Sequence, residues 1–219
     1  MKTNLTNAAT LNVDERSVKL DVLTGTMGER ALDMSTLKAQ TGCVAFDPAL
    51  TNTAVCRSAI TFVDGEKGIL RHRGYAIEDL AENCSFTEVA YLLILGKLPN
   101  QEQRQKFSRL LNSHSMLHED MISFFGKFPE GAHPMAVLSA MVVSLSSFYP
   151  ELHRASDSEE LDITVARLLS KLRTIAAFSY KKSIGEPFIY PSHRYSYCEN
   201  FLNMMFQSPV SLYQADAYD

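Results

Sequence analysis

Between Ala59 and Pro99 the chain changes its period, and that change limits what the rest of it can become. The stretch AITFVDGEKGILRHRGYAIEDLAENCSFTEVAYLLILGKLP opens with an apolar run, Ile60 to Val63, that suits a strand. Asp64-Gly65 offers a turn, and Gly68-Ile69-Leu70 begins the return of a hairpin. Arg71, His72 and Arg73 follow as a basic loop, and beyond Tyr75 the apolar spacing is helical. Ser85 and Glu88 fit a capping box, in which each side chain satisfies an amide that the helix start leaves unpaired. Phe86, Val89, Ala90, Leu93 and Ile94 are read as one buried face, and Gly96 is placed to end the helix.

The helical period then persists. Asn100 caps a helix with the stripe Phe107, Leu110 and Leu111. Leu117, Met121, Phe124 and Phe125 form a shorter stripe closed by Gly126 and Pro129. Pro134 suits a first helical position, where its missing amide costs nothing. The following MAVLSAMVVSLSSFY is apolar nearly all round, which predicts a central helix enclosed by others. Ser156 with Glu159 makes a second capping box, for a long helix with the stripe Leu161, Val165, Leu168, Leu169, Leu172, Ile175 and Ala176. Gly185, Pro187 and Pro191 form a loop before a last helix near Tyr197 to Phe206, whose Phe201, Met204, Met205 and Phe206 read as core.

Only the front of the chain leans towards strands. The first dozen residues are polar and read as frayed. Val18, Leu20 and Val22 alternate with polar neighbours before Gly25, which predicts a half-buried strand. Residues 26–58 read as turns and short strands. The fold class expected is therefore mainly α, with residues 1–58 a small β-containing N-terminal segment and residues 59–219 a helical body.

Composition narrows the partners. A formal charge of -4 offers no net basic field for phosphate backbones, so nucleic acid is not an expected partner. The longest apolar run, Met135 to Leu145, is interrupted by Ser139 and Ser144 and is too short for a bilayer, so no membrane association is expected. The N-terminal residues lack the apolar stretch of a secretory signal. Cys43, Cys56, Cys84 and Cys198 form no CxxC pair, and reduced thiols in a cytoplasmic protein are the expectation.

Four groups of polar residues merit weighing. Arg71, His72 and Arg73 either contact an anion or pair with Glu66, Glu78 or Asp79. His114 and His118 lie four apart, but Glu119 is the one further ligand in view; polar capping at a turn is expected, with no metal. His133 reads as a neighbour of the helix start at Pro134. Arg167 and Lys171 either present two cations to phosphates from one helix face, or pair with Glu159, Glu160 or Asp162 on a solvated one. No glycine-rich phosphate loop, nucleophile elbow or kinase signature is present.

Taken in order, ITFVDGEKGILRHRGYAIEDLA, VAYLLILGKLP, HSMLHED, HPMAVLSA, RLLSKLRTIAAFSYKKSIGEPFIYP and NFLNMMF resemble the bacterial type II citrate synthases, the hexameric branch, from about Val18 to Pro209. The resemblance implies the N-terminal portion of that family's helical large domain, in an acyltransferase that condenses acetyl-CoA with oxaloacetate in the citric acid cycle, as a homo-oligomer. It implies no bound cofactor. The family's catalytic histidines and aspartate lie in its second half, so no catalytic residue carries over. The chain is expected to be an N-terminal half, without the second half and small domain, and inactive alone. The acyl pocket is not among these motifs, which leaves acetyl-CoA and propionyl-CoA both open.

The same resemblance matches His114, Ser115, Met116, Tyr149, Arg167 and Lys171 to positions that contact NADH, an allosteric inhibitor of the type II enzymes. Two positions depart from the pattern: Ser113 stands where an arginine is usual and Val210 where a cysteine is frequent. Losing a charge-assisted contact costs about 1.5–3 kcal/mol, so weak or absent NADH binding is expected. The alternatives are a helical assembly or binding module that complements or interferes with a full-length synthase, and an independent nucleotide sensor.

Overall fold

The computed structural model describes residues 7–150 and 158–208. The chain divides into two compact units, Met1–Ser58 and Ala59–Asp219.

In the first unit, β1 (Asn7–Val13), β2 (Arg16–Thr24) and β3 (Arg30–Leu32) form an antiparallel sheet in the order β1-β2-β3. Val18, Leu20 and Val22 are buried on one face of β2, as their alternation predicts, and Leu37 of α1 (Leu37–Thr41) is buried with them. The expectation of a frayed start fails from Asn7 onward. Seven consecutive residues pair with β2, from Asn7 opposite Val22 to Val13 opposite Arg16. Ala9, Leu11 and Val13 are half-buried along it and alternate with exposed neighbours, a period-two pattern inside the segment read as polar. α1 was not legible either; Gly42, at φ 79, ends it in the left-handed conformation that glycine adopts freely.

The second unit opens with β4 (Thr61–Asp64), β5 (Ile69–His72) and β6 (Tyr75–Ala76), again antiparallel in chain order. The hairpin is the one the sequence predicts, with Asp64 opposite Ile69. The Asp64 carboxylate closes it, accepting from the Lys67 amide at 3.0 Å and its ammonium at 2.9 Å.

Among the described residues seven helices follow: α2 (Ile77–Asn83), α3 (Phe86–Leu95), α4 (Gln101–Ser113), α5 (Glu119–Phe125), α6 (Pro134–Phe148), α7 (Ser158–Ser183) and α8 (Tyr197–Phe206). Reciprocal capping boxes start α3 at Ser85, α4 at Asn100 and α8 at Ser196. The box proposed at Ser156 lies outside the described residues. His118 and His133 cap α5 and α6, each ring nitrogen Nδ1 accepting a backbone N–H at 3.2 Å. Gly96 ends α3 at φ 81. A Gly96→Ala change forces a side chain into left-handed backbone, so thermal unfolding should report a loss of about 1–2 kcal/mol.

The main core joins Met121 and Phe125 of α5, Met141 and Leu145 of α6, Ile175 and Phe178 of α7, and Met204 of α8. A second cluster joins Tyr91, Phe107, Leu111 and Ala166. Phe201 and Met205 pack at the edge of the main core, while Phe206 is exposed.

Several helix faces differ from their reading. On α3 the buried residues are Tyr91 and Leu92, whereas Phe86 is half-exposed and stacks on Tyr197 with ring centroids 5.2 Å apart. In α5, Ile122 is buried and Phe124 is not. α6 is not enclosed: Val137, Met141 and Leu145 are buried, but Met135 and Val143 are exposed, Val143 by 72%. On α7, Leu161, Leu168 and Leu172 are exposed. The buried side carries Ser170, Lys171, Arg173, Thr174 and Lys181 beside Ala166, Ile175 and Phe178. Periodicity misses this because carbonyls and hydroxyls from other elements satisfy those polar groups. Among the described residues no helix is long and apolar enough to cross a membrane.

Candidate functional site

The turn between α4 and α5, residues 114–116, is laced onto α7. His114 caps the end of α4. Ser115 is 3% exposed; its Oγ donates to the Leu111 carbonyl at 3.0 Å and accepts from Arg173 Nη2 at 2.7 Å. Its carbonyl accepts from Thr174 Oγ1 at 2.8 Å. Ser170 Oγ donates to the same Leu111 carbonyl at 2.6 Å. Next along the turn, the Met116 carbonyl accepts from Lys171 Nζ at 2.6 Å, while the Met116 side chain is exposed.

Lys171 is itself only 4% exposed, and its ammonium lies 4.0 Å from the ring centroid of Tyr149, which caps α6. The solvated-face reading of Lys171 is thereby corrected: it is buried, held by a carbonyl and an aromatic face. The side chains of Glu159, Glu160 and Asp162 lie outside the described residues. Burial lowers the His114 pKa, and the charges of Arg167 and then Lys171 lower it further. The ring is therefore neutral at neutral pH and shares its surroundings with both cations.

Thus all six residues predicted by resemblance, His114, Ser115, Met116, Tyr149, Arg167 and Lys171, fall around one spot built by the α4–α5 turn, the end of α6 and the side of α7. Two cations suit phosphate oxygens, and an aromatic ring with an exposed thioether suits a planar heterocycle. The inner wall of the spot is already occupied by internal hydrogen bonds at Ser115 and Lys171. Ser113 is exposed and donates to the Leu110 carbonyl at 2.8 Å. Val210 lies outside the described residues.

The expected basic loop is corrected: Arg71 and His72 end β5 and only Arg73 lies in the turn that follows, and all three make structural contacts, although not through the acids considered. Arg73 Nη2 donates to the Leu93 carbonyl at 2.8 Å and Nη1 to the Ala59 carbonyl at 3.4 Å. Leu93 sits in the last turn of α3, where carbonyls lack helical partners and the helix dipole favours a cation. Arg71 Nη1 donates to the Gly74 carbonyl at 3.3 Å, and His72 Nδ1 lies 3.3 Å from Thr61 Oγ1. His114 and His118 end one helix and begin the next, so their spacing does not set them side by side on one face. Among the described residues no three His, Cys, Asp or Glu side chains gather as metal ligands would.

Arg173, Thr174, Ser170 and Lys181 were missed. For the first three the signal was present in SKLRT, where polar residues crowd both sides of Leu172 on a long helix; Lys181 lies outside that run. An open cleft of about 590 Å3 beyond the end of α7 is lined by Glu130, Lys182, Glu186 and Phe188, among others, and among the described residues no imidazole lines it.

Residues 49–219 match the family model described as citrate synthase, C-terminal domain. The chain belongs to the citrate synthase family. Its fold is similar to that of solved citrate synthases from Thermotoga maritima (31% identity, TM-score 0.63, 74% of this chain and 42% of that one) and Pyrobaculum aerophilum (28%, 0.65, 84% and 44%). It also resembles the Thermoplasma acidophilum citrate synthase, solved as a ternary complex with carboxymethyl coenzyme A and oxaloacetate (TM-score 0.67, 74% of this chain and 42% of that one), where 23% identity speaks to fold alone. The mainly helical, citrate-synthase-like fold expected from the sequence is the one observed. The chain spans less than half the length of these solved citrate synthases.

Proposed function

We propose that residues 59–219 supply the N-terminal portion of the helical large domain of a bacterial type II citrate synthase, a cytoplasmic homo-oligomer, hexameric in that branch. The enzyme joins acetyl-CoA to oxaloacetate in the citric acid cycle. The family match over residues 49–219 carries the reading. Drawing a proton from a thioester methyl requires a placed base and a partner for the developing enolate, each lowering the barrier by about 3 kcal/mol or more. On this reading both belong to the family's second half, and this portion holds the scaffold. The polypeptide 1–219 should therefore release no thiol from acetyl-CoA in the presence of oxaloacetate; steady turnover in that assay overturns the scaffold reading.

The spot around His114, Arg167 and Lys171 is proposed as an NADH effector site of low affinity. Arg167, Lys171 and Tyr149 support it, whereas Ser113 supplies no third cation and the Lys171 ammonium is already engaged. Fluorescence titration should give a dissociation constant well above the low-micromolar range; low-micromolar binding contradicts this.

A helical assembly module, pairing with a separate C-terminal half or with intact subunits, is favoured by one observation. Met135 and Val143 of α6 and Leu161, Leu168 and Leu172 of α7 are exposed, and exposed apolar side chains supply the surface that a partner would cover. Co-purification with a C-terminal half supports this second reading, and a monodisperse monomer by light scattering that ignores such a half removes it.

A further inference from the structure

We propose that Arg173 is a positioning residue that makes the 114–116 turn and the first turn of α8 one cooperative unit, so that a ligand held at the turn alters α8. The identity of that ligand rests on the dinucleotide reading above; the bridge itself does not.

Arg173 is buried on α7 and reaches two ways. Nη2 donates to Ser115 Oγ at 2.7 Å, and Nη1 donates to the Tyr197 carbonyl at 2.9 Å. The guanidinium carbon lies 4.3 Å from the Tyr197 ring centroid. Both ends are tied further. Ser115 is held to Leu111 and Thr174, and Tyr197, the first residue of α8, donates its hydroxyl to the Leu169 carbonyl at 2.9 Å.

Stability alone gives a poor account of this arginine. Burial disfavours its charge, and among the described residues no carboxylate pairs with it. Nε is buried without a hydrogen-bond partner. The guanidinium also sits at the positive end of the α8 dipole, where a cation is disfavoured. The nearby Glu199 carboxylate is committed to the Ser196 amide at 2.6 Å. Its desolvation is offset by two neutral acceptors and a ring face rather than by an opposite charge. The rigid fork supplies what an apolar chain cannot, two directional bonds held at fixed spread to two separate segments. A displacement of Ser115 is therefore passed to the Tyr197 carbonyl.

The test is hydrogen exchange of α8 amides, read by mass spectrometry on the full chain, for wild type, S115A, R173K and the double variant. Lysine keeps the charge and stem but cannot hold both partners. In wild type, S115A should speed exchange in the Asn200–Asn203 region about five-fold, as expected for directly coupled groups. In R173K the same S115A change should add almost nothing. Equal acceleration in both backgrounds, or none in wild type, overturns the bridge. R173M, which keeps the stem volume, provides the same comparison should R173K not fold. Millimolar NADH should slow α8 exchange in wild type and not in R173K. Binding of NADH with α8 unmoved in wild type also overturns the proposal. An S115A effect that depends on Arg173, with no NADH binding, upholds the bridge and removes the dinucleotide reading instead.

Discussion

Phe125→Ala should cost the helical unit about 3–5 kcal/mol, the range for truncating a fully buried phenylalanine that leaves a cavity behind. Phe125 has no exposure, and its ring meets two others, Phe188 at 5.5 Å and Phe178 at 6.0 Å between centroids. Phe178 and Phe188 stack in parallel at 4.4 Å, and Phe125 lies beside both, so the stack loses a neighbour common to its two rings. Edge-to-face contacts add about 0.5–1.5 kcal/mol beyond area alone. Since a domain's whole stability is about 5–15 kcal/mol, denaturant titration should show the midpoint collapse or no folded baseline. A conservative Phe125→Leu change should recover much of the loss, because it refills most of the volume. An Ala variant as stable as wild type contradicts the core placement.

Lys181→Ala is the second large effect. Lys181 is 1% exposed, and its ammonium binds the Glu186 carboxylate and donates to the Gln207 carbonyl at 2.7 Å. Removing one partner from a buried charge pair costs about 3–5 kcal/mol when the other charge stays stranded. Here the Glu186 side chain is 41% exposed and regains water, so about 2–3 kcal/mol is expected for the lost stem packing and the unsatisfied carbonyl. Lys181→Met restores the stem without the bonds and should recover roughly half, which separates packing from polar satisfaction. If Ala and Met unfold at the same denaturant concentration, the packing share is nil.

The legible parts of the fold were those written in local chemistry. Ser85, Asn100 and Pro134 mark helix starts because the groups they satisfy or omit lie within one turn. Gly96 marks an end because its backbone conformation excludes most side chains. The α8 boundaries at Tyr197 and Phe206 coincide with those read from the sequence. Less legible was whatever depends on partners far along the chain. Strand β1 is fixed by its pairing with β2, and the alternation of Ala9, Leu11 and Val13 within it is short and only half-buried. The buried side of α7 looks solvent-facing in sequence because Lys171 and Arg173 find their acceptors at Met116, Ser115 and Tyr197. The candidate site was legible through resemblance only. Spacing placed Arg167 and Lys171 on one face but gave no hint that Tyr149 would cover Lys171.

Helix α7 contains 26 residues, which at 1.5 Å each is a rod of about 39 Å. It carries Arg167 and Lys171 on its way to Phe178 and Lys181, and it touches α4, α6 and α8. A stiff shaft of this kind has one practical corollary: grafting a different ligand preference onto its first half means keeping the pitch and phase of every later turn. Insertions there would rotate the aromatic end out of its socket.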